Sequence, residues 1–293
     1  MSLRRSWGAL TALAVACLLA APALAAAQSE EFDPSVEFEL DPYISIEIGP
    51  LDLSINKAVV YLLLAAGICI GVGFYAVRGG LRQRPTGAQN LVELAYEFCE
   101  RQIARPTLSE SVFPRYFPYI ATLFMFLAVS NIISFIPLPI SHESGTFPFG
   151  IPDLGLYAAT ANINVTIALT LVTFIAYNYE GIRAHGPIGY AKTLVPDAPR
   201  AIKPFIAALE VLSQLLRLVS LSVRLFANLL AGHLLIIMCA GFVILLGNFA
   251  GLIAIPVGVF FYVFEWVLIA GLQAFIFAML SGIYIGFAVE SSH

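Results

Sequence analysis

A chain of 293 residues that is 59% hydrophobic and 12% charged, with a mean hydropathy of +0.87, falls well below the quarter of charged residues usual in soluble domains. It reads as a membrane protein, which excludes most soluble-enzyme classes, and a net charge of -4 with a pI near 5.6 offers no basic field for nucleic acid. Cys17, Cys69, Cys99 and Cys239 lie far apart with no CxxC pair. Neither a disulfide framework nor a zinc site is signalled, and the four read as small apolar packing residues.

Residues 1–27 carry Arg4-Arg5, an apolar run from Gly8 to Ala20, then Pro22 and Ala25-Ala26-Ala27. This is the pattern of a secretory signal cut near Ala27, although about 20 apolar residues could also span as an uncleaved first helix. The segment 28–56 is acidic, with Glu30, Glu31, Asp33, Glu37, Glu39, Asp41, Glu47 and Asp52 and no Lys or Arg before Lys57. Behind a secretory signal, such a leader is extracytoplasmic. Segment 57–203 holds three apolar spans at about 58–77, 117–138 and 154–178, each near the ~20 residues that cross a bilayer core. Two longer runs, about 204–247 and 252–289, fill segment 204–290. The expected fold is an all-α polytopic membrane helical bundle with a long, strongly tilted C-terminal helical hairpin.

Lys and Arg orient the bundle. Arg78, Arg82, Arg84, Arg101, Arg105 and Arg115 mark 78–116 as cytoplasmic, and Arg183, Lys192, Arg200 and Lys203 mark 179–203. The connections 139–153 and 247–251 contain neither residue and face outward, so the C-terminus lies inside. Near 88–104, Leu91, Leu94, Ala95, Phe98 and Ile103 recur at helical spacing against Glu93, Glu97, Glu100 and Arg101. This predicts an amphipathic helix, lying on the inner surface or packed against the bundle.

The run after Pro204 has no internal proline, and about 40 helical residues would measure roughly 60 Å, twice the ~30 Å hydrocarbon thickness. Such a helix must tilt steeply or bend. It carries Glu210, Arg217, Arg224 and His233, and the final run carries Glu265. Ionisable residues inside a membrane are expensive and usually mark ion paths, while Glu210 and Arg217 also suit interfacial anchoring. Glu210, Arg217 and Arg224 repeat every seven residues and, with Asn228, form one stripe; His233, nine residues from Arg224, falls nearly opposite. If two antiparallel helices fold back about position 249, partners at equal depth have numbers totalling about 498. His233 with Glu265 satisfies this, and Arg224 with Gln273 does so to within one. The first pair reads as protonatable or as a structural salt bridge, and Gln273 as a hydrogen-bond neighbour able to steer Arg224.

The stretch Leu221–His233, with its Arg-Leu-Phe-x-Asn-x-x-x-Gly-His pattern, resembles the signature of the subunit a family of F-type ATP synthases. Gln273-Ala274-Phe275-Ile276-Phe277 is similar to that family's second motif, and Thr160–Thr166 to a third. The resemblance implies a stator subunit whose arginine, here Arg224, meets the membrane-buried carboxylate of a rotating c-ring and separates two offset half-channels. It places Asn228, His233, Glu265 and Gln273 along the outer half-channel or ring contact, and Glu210 toward the inner one. Arg217 and Asn162 are secondary candidates, Asn162 standing where several relatives carry an acid. The implied partners are c-ring subunits, b-type peripheral stalk subunits, the catalytic head, the lipid bilayer of a bacterial inner membrane, and protons. No cofactor is implied, and the sequence has no GxxxxGK[ST] loop, so ATP chemistry would belong to other subunits. A self-contained ion or proton transporter is the alternative, though no self-similar halves are visible.

Overall fold

The computed structural model describes residues 40, 42–48, 51–52, 54–78, 87–136, 157–193, 199, 202–246 and 249–289. The expected signal 1–27, the connection 139–153, and Gly247 and Asn248 of the expected hairpin turn lie outside the described residues. The described residues begin with two small antiparallel ladders, β1 (Pro42–Ile44) with β4 (Ile55–Asn56) and β2 (Glu47–Ile48) with β3 (Leu51–Asp52). Reading this leader for charge alone overlooked them. Ile44, Ile46 and Ile48 alternate with Ser45 and Glu47, which is strand periodicity.

Helix α1 (Lys57–Arg78) is followed by α2 (Ala88–Phe98), which runs on through a π-helical segment, Cys99–Ala104, into a last turn, Arg105–Thr107. Then come α3 (Phe113–Ile133), α4 (Ile163–Thr193) and α5 (Lys203–Leu246). The final rod comprises α6 (Phe249–Phe264), a π-helical turn (Glu265–Ile269) and α7 (Ala270–Val289). Among the described residues, five helices are long and apolar enough to cross a membrane.

Two spans differ from the hydropathy reading at both ends. The second span begins at Phe113, because Pro114 suits a first helical turn, and it ends at Ile133 rather than near 138. The third begins at Ile163, after a short 3-10 turn, rather than near 154. There Asn162 is extended, and its side-chain oxygen accepts the Asn164 N–H at 2.9 Å, as a helix cap does. This helix also runs past 178 to Thr193, since hydropathy measures affinity for lipid and not helicity. It breaks only at Gly186, whose positive φ of 71° precedes Pro187.

Of the two alternatives for the amphipathic segment, packing against the bundle is seen in its second half, while part of its first half is exposed. Leu91 and Leu94 are exposed. Tyr96 and Phe98 reach the bundle through ring contacts with Phe117 and with Phe124 and Phe275, and Cys99, Ile103 and Ala104 are fully buried. The segment then nests on α7. A Cβ at Gly282 would stand 2.5 Å from the Thr107 hydroxyl, and one at Gly286 2.6 Å from the Thr107 carbonyl, so glycine is what permits this approach. Helix α3 packs on α1 and α7, α4 on α5 and α7, and α5 on α6. Between them Leu127, Leu225, Leu229, Ala274 and Phe277 belong to one core, against the buried face of α5.

Candidate functional site

Helix α5 has 44 residues, about 66 Å at 1.5 Å per residue. Leu, Ala and Arg dominate its middle, all strong helix formers. Its two sides differ as the nine-residue spacing predicts: His233 is buried (2% exposed), whereas Arg224 and Asn228 are exposed. Around Arg224 the exposed stripe is lined by Ser220, Ala227, Ala231 and Leu235, mostly small side chains.

On the buried side, His233 Nδ1 lies 3.5 Å from Glu265 Oε1, so the depth matching along the hairpin holds for this pair. Glu265 is also 2% exposed, and its oxygens find no hydrogen-bond donor among the described residues, leaving His233 as the group that opposes its charge. The two imidazole nitrogens face backbone carbonyls, Nδ1 that of Leu229 at 3.1 Å and Nε2 that of Ser134 at 3.3 Å. Only a ring protonated on both nitrogens donates to both. A Cβ at Gly232 would overlap the Glu265 carboxyl, which is therefore seated directly on the glycine.

The π-helical turn explains how Glu265 comes to point inward. Eight residues of regular α-helix would set Glu265 and Gln273 about 80° apart around the axis; one extra residue held in the π-turn reduces this to about 20°. Both side chains are accordingly buried. The predicted partnership of Gln273 with Arg224 is not present. Counting sets them level, but Gln273 faces the bundle (4% exposed) while Arg224 faces out, and no hydrogen bond joins them. Equal depth fixes height, not direction.

A buried amide that the sequence reading missed frames this site. Asn131 donates to the Ala270 carbonyl at 3.1 Å and accepts from the Thr160 hydroxyl at 3.0 Å, and Ser134 donates to the Asn131 carbonyl at 2.6 Å. A lone Asn within an apolar span was the available signal. Asn162, beyond capping α4, bonds to Tyr157, whose hydroxyl is pushed up to about 12 by burial with that bond opposing.

A second cluster lies toward the start of α5. Arg217 stands 4.0 Å from Glu210 and 5.7 Å from the Tyr284 ring centre. Gln214 donates to Glu210 at 3.1 Å, and Tyr177 donates to Gln214 at 2.6 Å. A cavity of about 10 Å³ beside Arg217 is lined by Thr170, Thr173, Tyr177 and Tyr284. Glu210 and Arg217 thus meet partners within the bundle, a network whose α4 and α7 members carry no helical spacing that would reveal them from sequence.

Chemically, the arrangement is a buried acid–imidazole pair on one flank of a helix, an outward-facing guanidinium on the other, and a second ion pair along the same helix. Residues 59–286 match the family described as ATP synthase A chain. The chain is similar to the ATP synthase subunit a of Rubrobacter xylanophilus, 35% identical over 255 residues that cover 85% of this chain and 91% of that protein. It is also 34% identical to the subunits a of Brucella ovis and Brucella canis, over 89% of this chain and 99% of each of those. With a match spanning most of its length and relatives covered almost end to end, this chain belongs to the ATP synthase A chain family.

Proposed function

We propose that this chain is the proton-translocating stator subunit of an F-type ATP synthase, and that Arg224 separates two offset half-channels against a rotating c-ring. The observation that carries this reading is an exposed guanidinium at the middle of a 44-residue apolar helix. Facing lipid, such a group costs about 2.5–3.5 kcal/mol on insertion scales; facing a partner's carboxylate, it is neutralised. The small residues around it let a second helix approach closely. A self-contained transporter would enclose its essential charge, so this exposure favours the stator.

In this role Arg224, which does not deprotonate, favours the ionised form of a passing ring carboxylate. A proton must then leave the ring on one side of Arg224 and join it on the other. The guanidinium also blocks direct leakage between the half-channels. His233 and Glu265 relay protons on the outer side, Gln273 and Asn228 line the outer path and ring contact, and Glu210, paired with Arg217, serves the inner side. The length of α5 lies obliquely along the ring and gives both half-channels a common wall. The chain sits in a bacterial inner membrane with the N-terminus outside after removal of residues 1–27 and the C-terminus inside. Stalk subunits of b type and the catalytic head complete the assembly.

The test is Arg224→Ala in the assembled complex in vesicles. ATP-driven pumping is lost, while passive proton flux after removal of the catalytic head is retained or raised. Undiminished pumping would reduce Arg224 to a docking charge and end the stator reading.

A further inference from the structure

We infer that Tyr262 is a positioning residue for His233, acting through the backbone just beyond the end of α3. This inference rests on the proposed relay role of His233 and Glu265. The last carbonyls of a helix lack intrahelical donors. Past Ile133, the final helical residue of α3, two successive carbonyls are taken up by side chains from different helices. His233 Nε2 of α5 meets Ser134 O at 3.3 Å, and the Tyr262 hydroxyl of α6 donates to Phe135 O at 2.5 Å.

The rings reinforce the pairing. Phe135, 1% exposed, stands 4.9 Å from the His233 ring and meets the Tyr262 ring edge-on at 5.8 Å and 87°. Phe135 is thus held between the histidine and the tyrosine. Tyr262 precedes Glu265 by three residues on the same rod. The rod that carries the acid therefore also pins the Phe135 carbonyl, one residue beyond the Ser134 carbonyl that meets the histidine, and so holds the short backbone stretch against which His233 faces Glu265 at 3.5 Å. Of the elements packed around His233, the end of α3 presents Ser134 and Phe135 and the π-turn presents Glu265, the one charged group within ion-pair range among the described residues. Ser134 O is the acceptor that a ring protonated on both nitrogens needs in addition to Leu229 O. Loosening it weakens the hold on the incoming proton.

The experiment uses the intact complex in proteoliposomes at a fixed membrane potential, varying pH in the compartment that supplies protons and following ATP synthesis. In Tyr262→Phe, which keeps the ring and deletes the donor, the half-saturating proton concentration rises roughly two- to tenfold, the range of one net hydrogen bond, with the maximal rate nearly unchanged. Tyr262→Gln, whose amide can donate to the same carbonyl, recovers part of the shift. An unchanged half-saturation in Tyr262→Phe, a fall in maximal rate alone, or equal shifts in both variants would overturn the inference. If Tyr262→Phe does not assemble, Phe135→Leu probes the same clamp and must raise the half-saturation, or the inference falls. His233→Ala separates the two levels: if it leaves half-saturation at the wild-type value, the relay reading itself has failed, whereas an effect there without one at Tyr262 removes only the positioning role.

Discussion

Gly232→Ala isolates the geometry of the buried pair from its chemistry, because no ionisable group is replaced. The added methyl would overlap the Glu265 carboxyl, and restoring an ordinary separation of about 3.5 Å requires that carboxyl to withdraw by roughly 2 Å. The His233–Glu265 distance of 3.5 Å then opens to about 5 Å. At an effective dielectric near 20, this loses about 1.4 kcal/mol of attraction, roughly a tenfold fall in any rate that depends on the pair. The net loss of stability is about 0–2 kcal/mol, since alanine gains about 1 kcal/mol of helix propensity over glycine against about 1–3 kcal/mol for overpacking. The complex should therefore assemble while ATP-driven proton pumping, followed by dye quenching in inverted vesicles, falls about tenfold. Adding Glu265→Asp, one methylene shorter, should restore part of it. Wild-type pumping by assembled Gly232→Ala would refute the claim that the glycine seats the acid.

Two further predictions concern the amphipathic segment. Burial pushes the Cys99 thiol up to about 12, so maleimide at pH 8 should leave it unlabelled in the folded protein and label it only after denaturation. Because that value is raised on folding, the contribution is fully present below about pH 9 and declines as pH rises toward 12; Cys99→Ala should flatten the alkaline loss of thermal stability. At the contact with α7, Gly286→Ala meets the Thr107 backbone and Gly282→Ala its hydroxyl. The first should lower stability by about 2–3 kcal/mol and resist rescue, whereas Thr107→Ala should relieve the second; equal rescue of both in thermal unfolding would contradict the assigned contacts.

Much of this site was legible because a helical hairpin obeys simple counting. Antiparallel helices share one rise per residue, so totals of residue numbers found His233 and Glu265. The nine-residue spacing correctly set His233 opposite Arg224. Counting failed for Gln273 because direction around the axis is decided by packing, and because the π-turn resets that direction without leaving any mark in a composition as ordinary as Glu-Trp-Val-Leu-Ile. The start of α4 was misread for a related reason: residues near 157–161 are apolar, yet they are buried in an extended and 3-10 stretch before Asn162 caps the helix. Tyr262 gave no sequence signal at all, since its partner is a backbone carbonyl.

The extra residue in the final rod bears on how insertions and deletions near it can be tolerated. The immediate neighbours of Glu265, Phe264 and Trp266, are both exposed, at 41% and 42%. A phase error of one residue in either direction would therefore carry the carboxyl out of its pocket and onto an exposed, apolar face. A chain built on the same plan but lacking that residue would have to carry its acid one place further along, or let some other side chain meet the histidine. An alignment that keeps these acids in a single column without a gap would then be comparing residues on different faces of the helix.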